Sequence, residues 1–284
     1  MQQIAADQLG VKIDTVRVTH GDTDATPYGG GTWASRGAGI GGEAVLKASR
    51  KLKENILNIA AVIMQSEVNN LDVQNDQVIR NDGGEGISLK DLAQIVYYRG
   101  HELPPGTNAE LIATASFSIE GIPFVFTNSA MGCLVDVDVD TGLTKIEKFW
   151  AVEDCGTQIN PKLVEEQIRG GVVQGIGGAL YEECIYDEMG NLTNGNMADY
   201  LVPMAYEMPD IIVDHVTTNS GRSILGAKGA GEAGTGGAPG AIMNAINDAL
   251  IPLNTEVTSQ PITPEKVLKA LGKNENLFNF SSLR

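Results

Sequence analysis

Glycine is concentrated in two places in this chain, and that constrains its fold more than any other feature. Of 34 glycines in 284 residues, seven fall between Gly29 and Gly42 and seven more between Gly226 and Gly240. Glycine weakens helices and strands, but it permits φ > 0 and lets other atoms approach the backbone closely. Two dense clusters inside a chain that is otherwise 42% hydrophobic predict backbone brought against a ligand, not a flexible linker. The length and apolar content suffice for one large domain or two ordinary ones.

Several function classes are excluded early. No stretch of about 18 apolar residues occurs, which argues against a membrane span. The opening MQQIAADQLGVKID lacks the basic and apolar regions of a secretory signal, so a cytoplasmic location is expected. A net charge of −16 repels phosphate backbones and makes nucleic acid a poor partner. Cys133, Cys155 and Cys184 are odd in number and widely spaced. Without a CxxC or Cys/His cluster the chain supplies no metal ligands of its own, and the three read as free thiols in a reducing compartment.

The patterning predicts an α+β (mixed α/β) fold of two sub-structures, each a mixed sheet with packed helices. A helix then a strand open the chain, the strand at TVRVTH, and a long helix is expected over about 43–65, where Val45, Leu46, Leu52, Ile56, Ile59 and Ile63 share a stripe. Two short strands and a helix over Leu89–Tyr98 follow. Residues 100–112 form a polar loop, so the first sub-structure is placed at 1–103 and the second at 104–272, with a tail at 273–284. In the second, ELIATASFSIE alternates like a strand and CLVDVDVDTGLTKIEKFWAVED reads as a hairpin about Thr141-Gly142. A glycine-rich helix over about 162–183, a strand at DIIVDHVTT, a short helix over Ala241–Leu250 and a capped helix at TPEKVLKAL complete it.

Gly37–Gly42 and Gly229–Gly234 both match GxGxxG, but neither follows a strand directly, and Glu232 lies inside the second, so a dinucleotide fold is rejected. The first cluster has two readings. Thr32, Ser35, Arg36 and free backbone N–H groups before a helix suit an anion; the same residues suit a glycine-rich turn with an ordinary cap. In the second cluster, glycine on both sides of Glu232 leaves room beside its carboxylate, which suits a general base facing a pocket, with Lys228 pairing to hold it ionised; a solvated loop glutamate is the plain alternative. Gln167 and Gln174 share one face of the glycine-rich helix, either to bond a heterocycle's edge or because glycine lets that helix pack closely. His20, His101 and His215 are scattered and suggest no site.

Taken in order, HGDTDATPYGGGTWASRGAGIGGEAV, AVEDCGTQINPKLVEEQIRGGVVQGIGGALYEE, DYLVPMAYEMPDI, GAKGAGEAGTGGAPGAIMNAINDAL and PITPEKVLKAL resemble the xanthine dehydrogenase and aerobic carbon monoxide dehydrogenase family, the molybdenum hydroxylases, over nearly all of residues 1–272. The resemblance implies the second molybdopterin-binding domain of the family's large subunit. It implies molybdopterin with Mo, in its cytosine dinucleotide form, and hydroxylation of an aldehyde, N-heterocycle or carbon monoxide with water-derived oxygen, Glu232 being the general base. It sets Thr32, Trp33, Ala34, Ser35, Arg36 and Gly37 beside the cofactor, with Gln167, Gln174, Lys228, Gly229 and Gly231 as further contacts. 2Fe-2S clusters and FAD are implied on partner subunits, not on this chain. Family large subunits are far longer, which implies a split or truncated subunit whose upstream half is a further partner; self-association into a homo-oligomer stays open. Alone, the chain is expected to bind no molybdenum and to turn nothing over. The competing expectation is a non-catalytic relic or assembly module that binds a partner subunit.

Overall fold

A computed structural model describes residues 1–121 and 125–273; the expected tail lies outside the described residues from residue 274 on. The fold is mixed α and β, in two compact units. One is Met1–Val125 with Ser220–Ala227, the other Phe126–Asn219 with Lys228–Arg284. By contacts the division thus falls after Val125, not after residue 103. Leu111 packs on the first unit's core, and Asn55 Nδ2 donates to the Glu110 carbonyl at 3.1 Å, which keeps the following segment with that unit.

In the first unit α1 (Gln2–Leu9) stops at Gly10, whose φ of 77° ends the helix in the left-handed conformation. The long helix α2 (Glu43–Ile63) buries Leu46, Ile56 and Ile59, the stripe its 3.6-residue period predicts. β1 (Leu71–Gln74), β2 (Gln77–Arg80) and β3 (Ile87–Ser88) form an antiparallel sheet. Asn75 and Asp76, both at positive φ, make the two-residue turn between β1 and β2. Helix α3 (Leu89–Tyr98) starts at Ser88, whose hydroxyl accepts from the Asp91 N–H. Leu92 of α3, Ile59 of α2 and Val73 and Val78 of the sheet share one core. The strand expected at TVRVTH is absent, and residues 110–119 alternate in burial without a ladder among the described residues. Alternation there marks an extended segment lying on the unit, not a sheet member.

The second unit is built on β4 (Asn128–Val137), β5 (Thr144–Asp154) and β6 (Asp210–His215). β4 and β5 are the expected antiparallel hairpin, and β6 joins β5 in parallel, so of the two sheets only this one is mixed. One face is covered by α4 (Pro161–Leu180) and α5 (Ala233–Leu250). Phe149, Ile168, Val172, Ile176, Ile242 and Ile246 are its buried centre. α4 begins as expected, with Pro161 in its first turn and the Asn160 side chain accepting from Leu163 N–H. α6 (Pro264–Ala270) is capped by Thr263. α5 corrects an expectation: it begins at Ala233 and not at Ala241, so it contains Gly234, Gly236, Gly237, Gly240 and Pro239.

Candidate functional site

The first glycine cluster shapes a loop in the first unit. Gly30 and Gly31 have φ of 77° and 75°, while Ala34 and Ser35 sit at 48° and 56°. Two successive side-chain-bearing residues in the left-handed region are costly and persist only where the surroundings impose them. Trp33 Nε1 donates to the Gly30 carbonyl at 2.9 Å, and the Arg36 guanidinium lies 5.4 Å from the Trp33 ring centre. The ring and the cation thereby fix the loop from both sides. Thr32, Trp33 and Ala34 are exposed, and Ser35, Arg36 and Gly37 are half-buried. Gly37–Gly42 then forms a single π-helical turn that runs into α2, a wide turn found mostly at functional sites. A cavity of about 180 Å³ opens here, lined by Trp33, Ala34, Arg36, Ile40, Phe117 and Ser118 among others.

The second cluster lies where α5 starts in the second unit. Its entry is fixed by Lys228, which is buried. Lys228 does not pair with Glu232: its ammonium donates to Asp154 at 2.9 Å and to the Thr218 hydroxyl at 2.7 Å. Its N–H also bonds the Cys155 carbonyl at 2.7 Å. Asp154 in turn accepts from the Thr218 hydroxyl and from the N–H groups of Thr218 and Gly156. Burial pushes the Asp154 carboxyl up, but the bonds from Thr218 and Lys228 outweigh it and hold it well below the usual carboxylate range. The competition is won by the carboxylate that already has several donors aimed at it.

The two glutamines are also engaged by protein. Gln167 Nε2 donates to the Gly231 carbonyl at 2.8 Å. The Thr235 hydroxyl reaches the Gly171 carbonyl at 3.1 Å and Gln174 Oε1 at 3.3 Å. Both tie α4 to the start of α5, and both are exposed. Glycine allows the close contact: a Cβ on Gly234 would run into the Ile168 carbonyl of α4, and one on Gly175 would come within 2.7 Å of the Ala238 Cβ. The close packing expected of a glycine-rich helix is thus present. Glu232 is exposed, occupies the N-cap position of α5 and makes no side-chain capping bond to that helix. The unbonded N–H groups of the first turn favour an anion at that end.

Sequence reasoning missed Asp154, Thr218 and Glu153. Glu153 is wholly buried, and neither carboxylate oxygen has a hydrogen-bond partner among the described residues. It faces inward with Phe149 and Ala151, beside its register partner His215. Burial pushes its carboxyl up to about 7. The available signal was an acid in phase with two apolar residues in FWAVED.

The donors at the first loop are hydroxyls, a guanidinium and backbone N–H groups, which suit an organic cofactor bearing phosphate. Among the described residues no group of three or more His, Cys, Asp or Glu is placed to hold a metal ion. No helix of the described residues is long and apolar enough to cross a membrane.

Residues 1–209 match the molybdopterin cofactor-binding domain. The chain is 36% identical to the nicotine 6-hydroxylase large subunit of Paenarthrobacter nicotinovorans, over 95% of its own length and 33% of that protein. It is 34% identical to the carbon monoxide dehydrogenase large chain of Hydrogenophaga pseudoflava, over 97% of itself and 34% of that chain. Among solved structures, quinoline 2-oxidoreductase from Pseudomonas putida 86 superposes with a TM-score of 0.85 at 36% identity, over 96% of this chain and 34% of that one. The chain thus spans about a third of the length of the relatives it matches. It belongs to the molybdopterin cofactor-binding domain family of the molybdenum hydroxylases.

Proposed function

We propose that this chain is one part of a molybdenum hydroxylase large subunit and contributes Glu232 as the general base, in a site that the rest of such a subunit completes. One observation carries the reading. The residue Glu232 stands exposed at the start of α5 while the backbone on both sides of it is fixed, by Lys228, Asp154 and Gln167 before and by the α4–α5 contact at Gly234 after. A base on a rigid support loses less in positioning than one on a mobile loop.

Thr32, Trp33, Ala34, Ser35, Arg36 and Gly37 would hold molybdopterin, in a cytosine dinucleotide form, with Gly229 and Gly231 next to it. Bound there, the cofactor's molybdenum supplies the two-electron oxidation of the substrate carbon. Glu232 accepts the proton released as oxygen is transferred. Arg36 and the loop N–H groups bind the cofactor's anionic groups. Gln167, Gln174 and Lys228, which face protein partners, orient the Glu232 segment. The substrate is an aldehyde, an N-heterocycle or carbon monoxide. 2Fe-2S clusters and FAD on partner subunits would take the electrons away. The names of the relatives, a nicotine hydroxylase and a carbon monoxide dehydrogenase, support that range.

Metal analysis tests the dependence on the rest of the subunit. Molybdenum is expected far below one per chain in the purified protein, and near one per complex after co-expression with the polypeptide equivalent to the other two thirds of its relatives. Stoichiometric molybdenum in the isolated chain would contradict it.

A further inference from the structure

Glu43 is the first residue of α2, and it is wholly buried. An apolar residue would fill that place without the desolvation cost of a carboxylate, so packing alone does not account for it. Its Oε1 accepts from the Leu225 N–H at 2.5 Å, across 182 positions of sequence. Its Oε2 has no hydrogen-bond partner among the described residues. The bond to Leu225 is the contribution that an apolar side chain could not make.

Each end of that bond belongs to a segment of the candidate site. On one side, Glu43 directly follows the π-helical turn Gly37–Gly42, which continues from Arg36 and the first glycine loop. On the other, Leu225 lies in a short loop closed on itself. There the Ser220 N–H bonds the Gly226 carbonyl at 3.0 Å, and the Gly226 N–H bonds the Ser223 hydroxyl at 3.1 Å. Gly226 has a φ of 69°, and the chain runs on from it into Lys228 and Glu232. Within the first unit the two segments also fit closely. A Cβ on Gly42 would come within 3.1 Å of Leu225 Cδ1, and one on Gly39 within 3.3 Å of the Ala227 carbonyl. Apolar contact of this kind leaves the segment free to slide along the glycine face; a directional bond to a buried carboxylate sets its register.

We propose that Glu43 is a positioning residue. By holding the Leu225 N–H it fixes residues 225–227 on the π-helical turn, and so sets where the segment carrying Glu232 begins. The turn that follows the first glycine loop and the lead-in to the base then move together, linked by a carboxylate that itself touches no reactant. This rests on the reading of Glu232 as the general base.

The test compares Glu43→Met, which keeps the volume but removes the acceptor, with Glu43→Gln, which keeps an acceptor, in the molybdenum-loaded large subunit. Hydrogen–deuterium exchange reads the segment, and thermal melting is the fold control. In the wild type the Leu225 amide is expected to be protected; exchange at the rate of a free peptide would overturn the proposal whether or not a variant folds. Glu43→Met is expected to speed exchange at residues 225–227 by about 10-fold or more. At equal molybdenum content it is expected to lower kcat by about 10-fold to 100-fold with KM little changed. Glu43→Gln is expected to bring both back close to wild type. A folded Glu43→Met with wild-type exchange and kcat, or a Glu43→Gln no better than Glu43→Met, would overturn the proposal. Faster exchange with kcat intact would overturn the positioning role alone, provided that Glu232→Gln still removes turnover. If Glu232→Gln is itself without effect, the reading of the base fails and the positioning role falls with it.

Discussion

At Gly29–Gly37 glycine opens the backbone; at Gly234 it closes one helix onto another. In the first cluster Gly30 and Gly31 take positive φ, and a Cβ on Gly29 or Gly37 would meet nothing within 4 Å. In the second, Gly234 sits against the α4 backbone and Gly237 against Met131. The open cluster leaves N–H groups and a cavity for a ligand. In the second, Gly236 and Gly240 still face open space, and the contact at Gly234 holds the segment that carries Glu232. Similar composition thus gives an open loop in one unit and a close helix contact in the other.

Substitution with alanine sharpens that contrast. Gly234→Ala is expected to cost about 3 kcal/mol, because neither partner backbone can move aside, and to lower the melting temperature by about 10 °C. Gly37→Ala should stay within about 1 kcal/mol of wild type, and helix propensity favours it. Equal losses at the two positions in thermal melting would break the contrast.

Lys228→Met probes the support before Glu232 and should cost about 2 kcal/mol, since Asp154 keeps its charge but loses its cation. Because the folded-state Asp154 carboxyl lies below its usual range, its contribution is present above that range and is lost as pH falls below it toward the folded-state value. Denaturant titration at neutral and acid pH checks both: the Lys228→Met deficit should shrink as Asp154 protonates.

Glu153 has the opposite sign. Its folded-state carboxyl, raised to about 7, makes the fold most stable below the usual carboxylate range and weaker as pH rises through 7. Glu153→Gln removes the titration, so between pH 5 and 9 the wild type should lose about 2.5 kcal/mol that the variant does not. Parallel pH profiles for the two proteins would show that Glu153 is not the group responsible.

Much of the scaffold was legible in local pattern. The stripe of α2, the bounds of α3, the Thr141-Gly142 hairpin, and the proline and threonine signals of α4 and α6 all depend on residues close in sequence. What was hidden depended on distance. Gly234–Gly240 with Pro239 reads as a loop by propensity, and only packing against α4 makes it helix. Lys228 bonds Asp154 from 74 positions away, so a partner four residues off looked nearer than it is. The glutamines were recognisable as unusual, but their acceptors lie across a helix contact. The family was legible because its motifs come in order; the roles of single residues within them required the fold.

The role of Glu232 is tested most directly in the completed complex. With molybdenum content equal to wild type, Glu232→Gln is expected to lower hydroxylation turnover by about 1000-fold, since the amide cannot take the proton. Turnover unchanged at equal molybdenum would contradict the account and leave this chain as a partner-binding module.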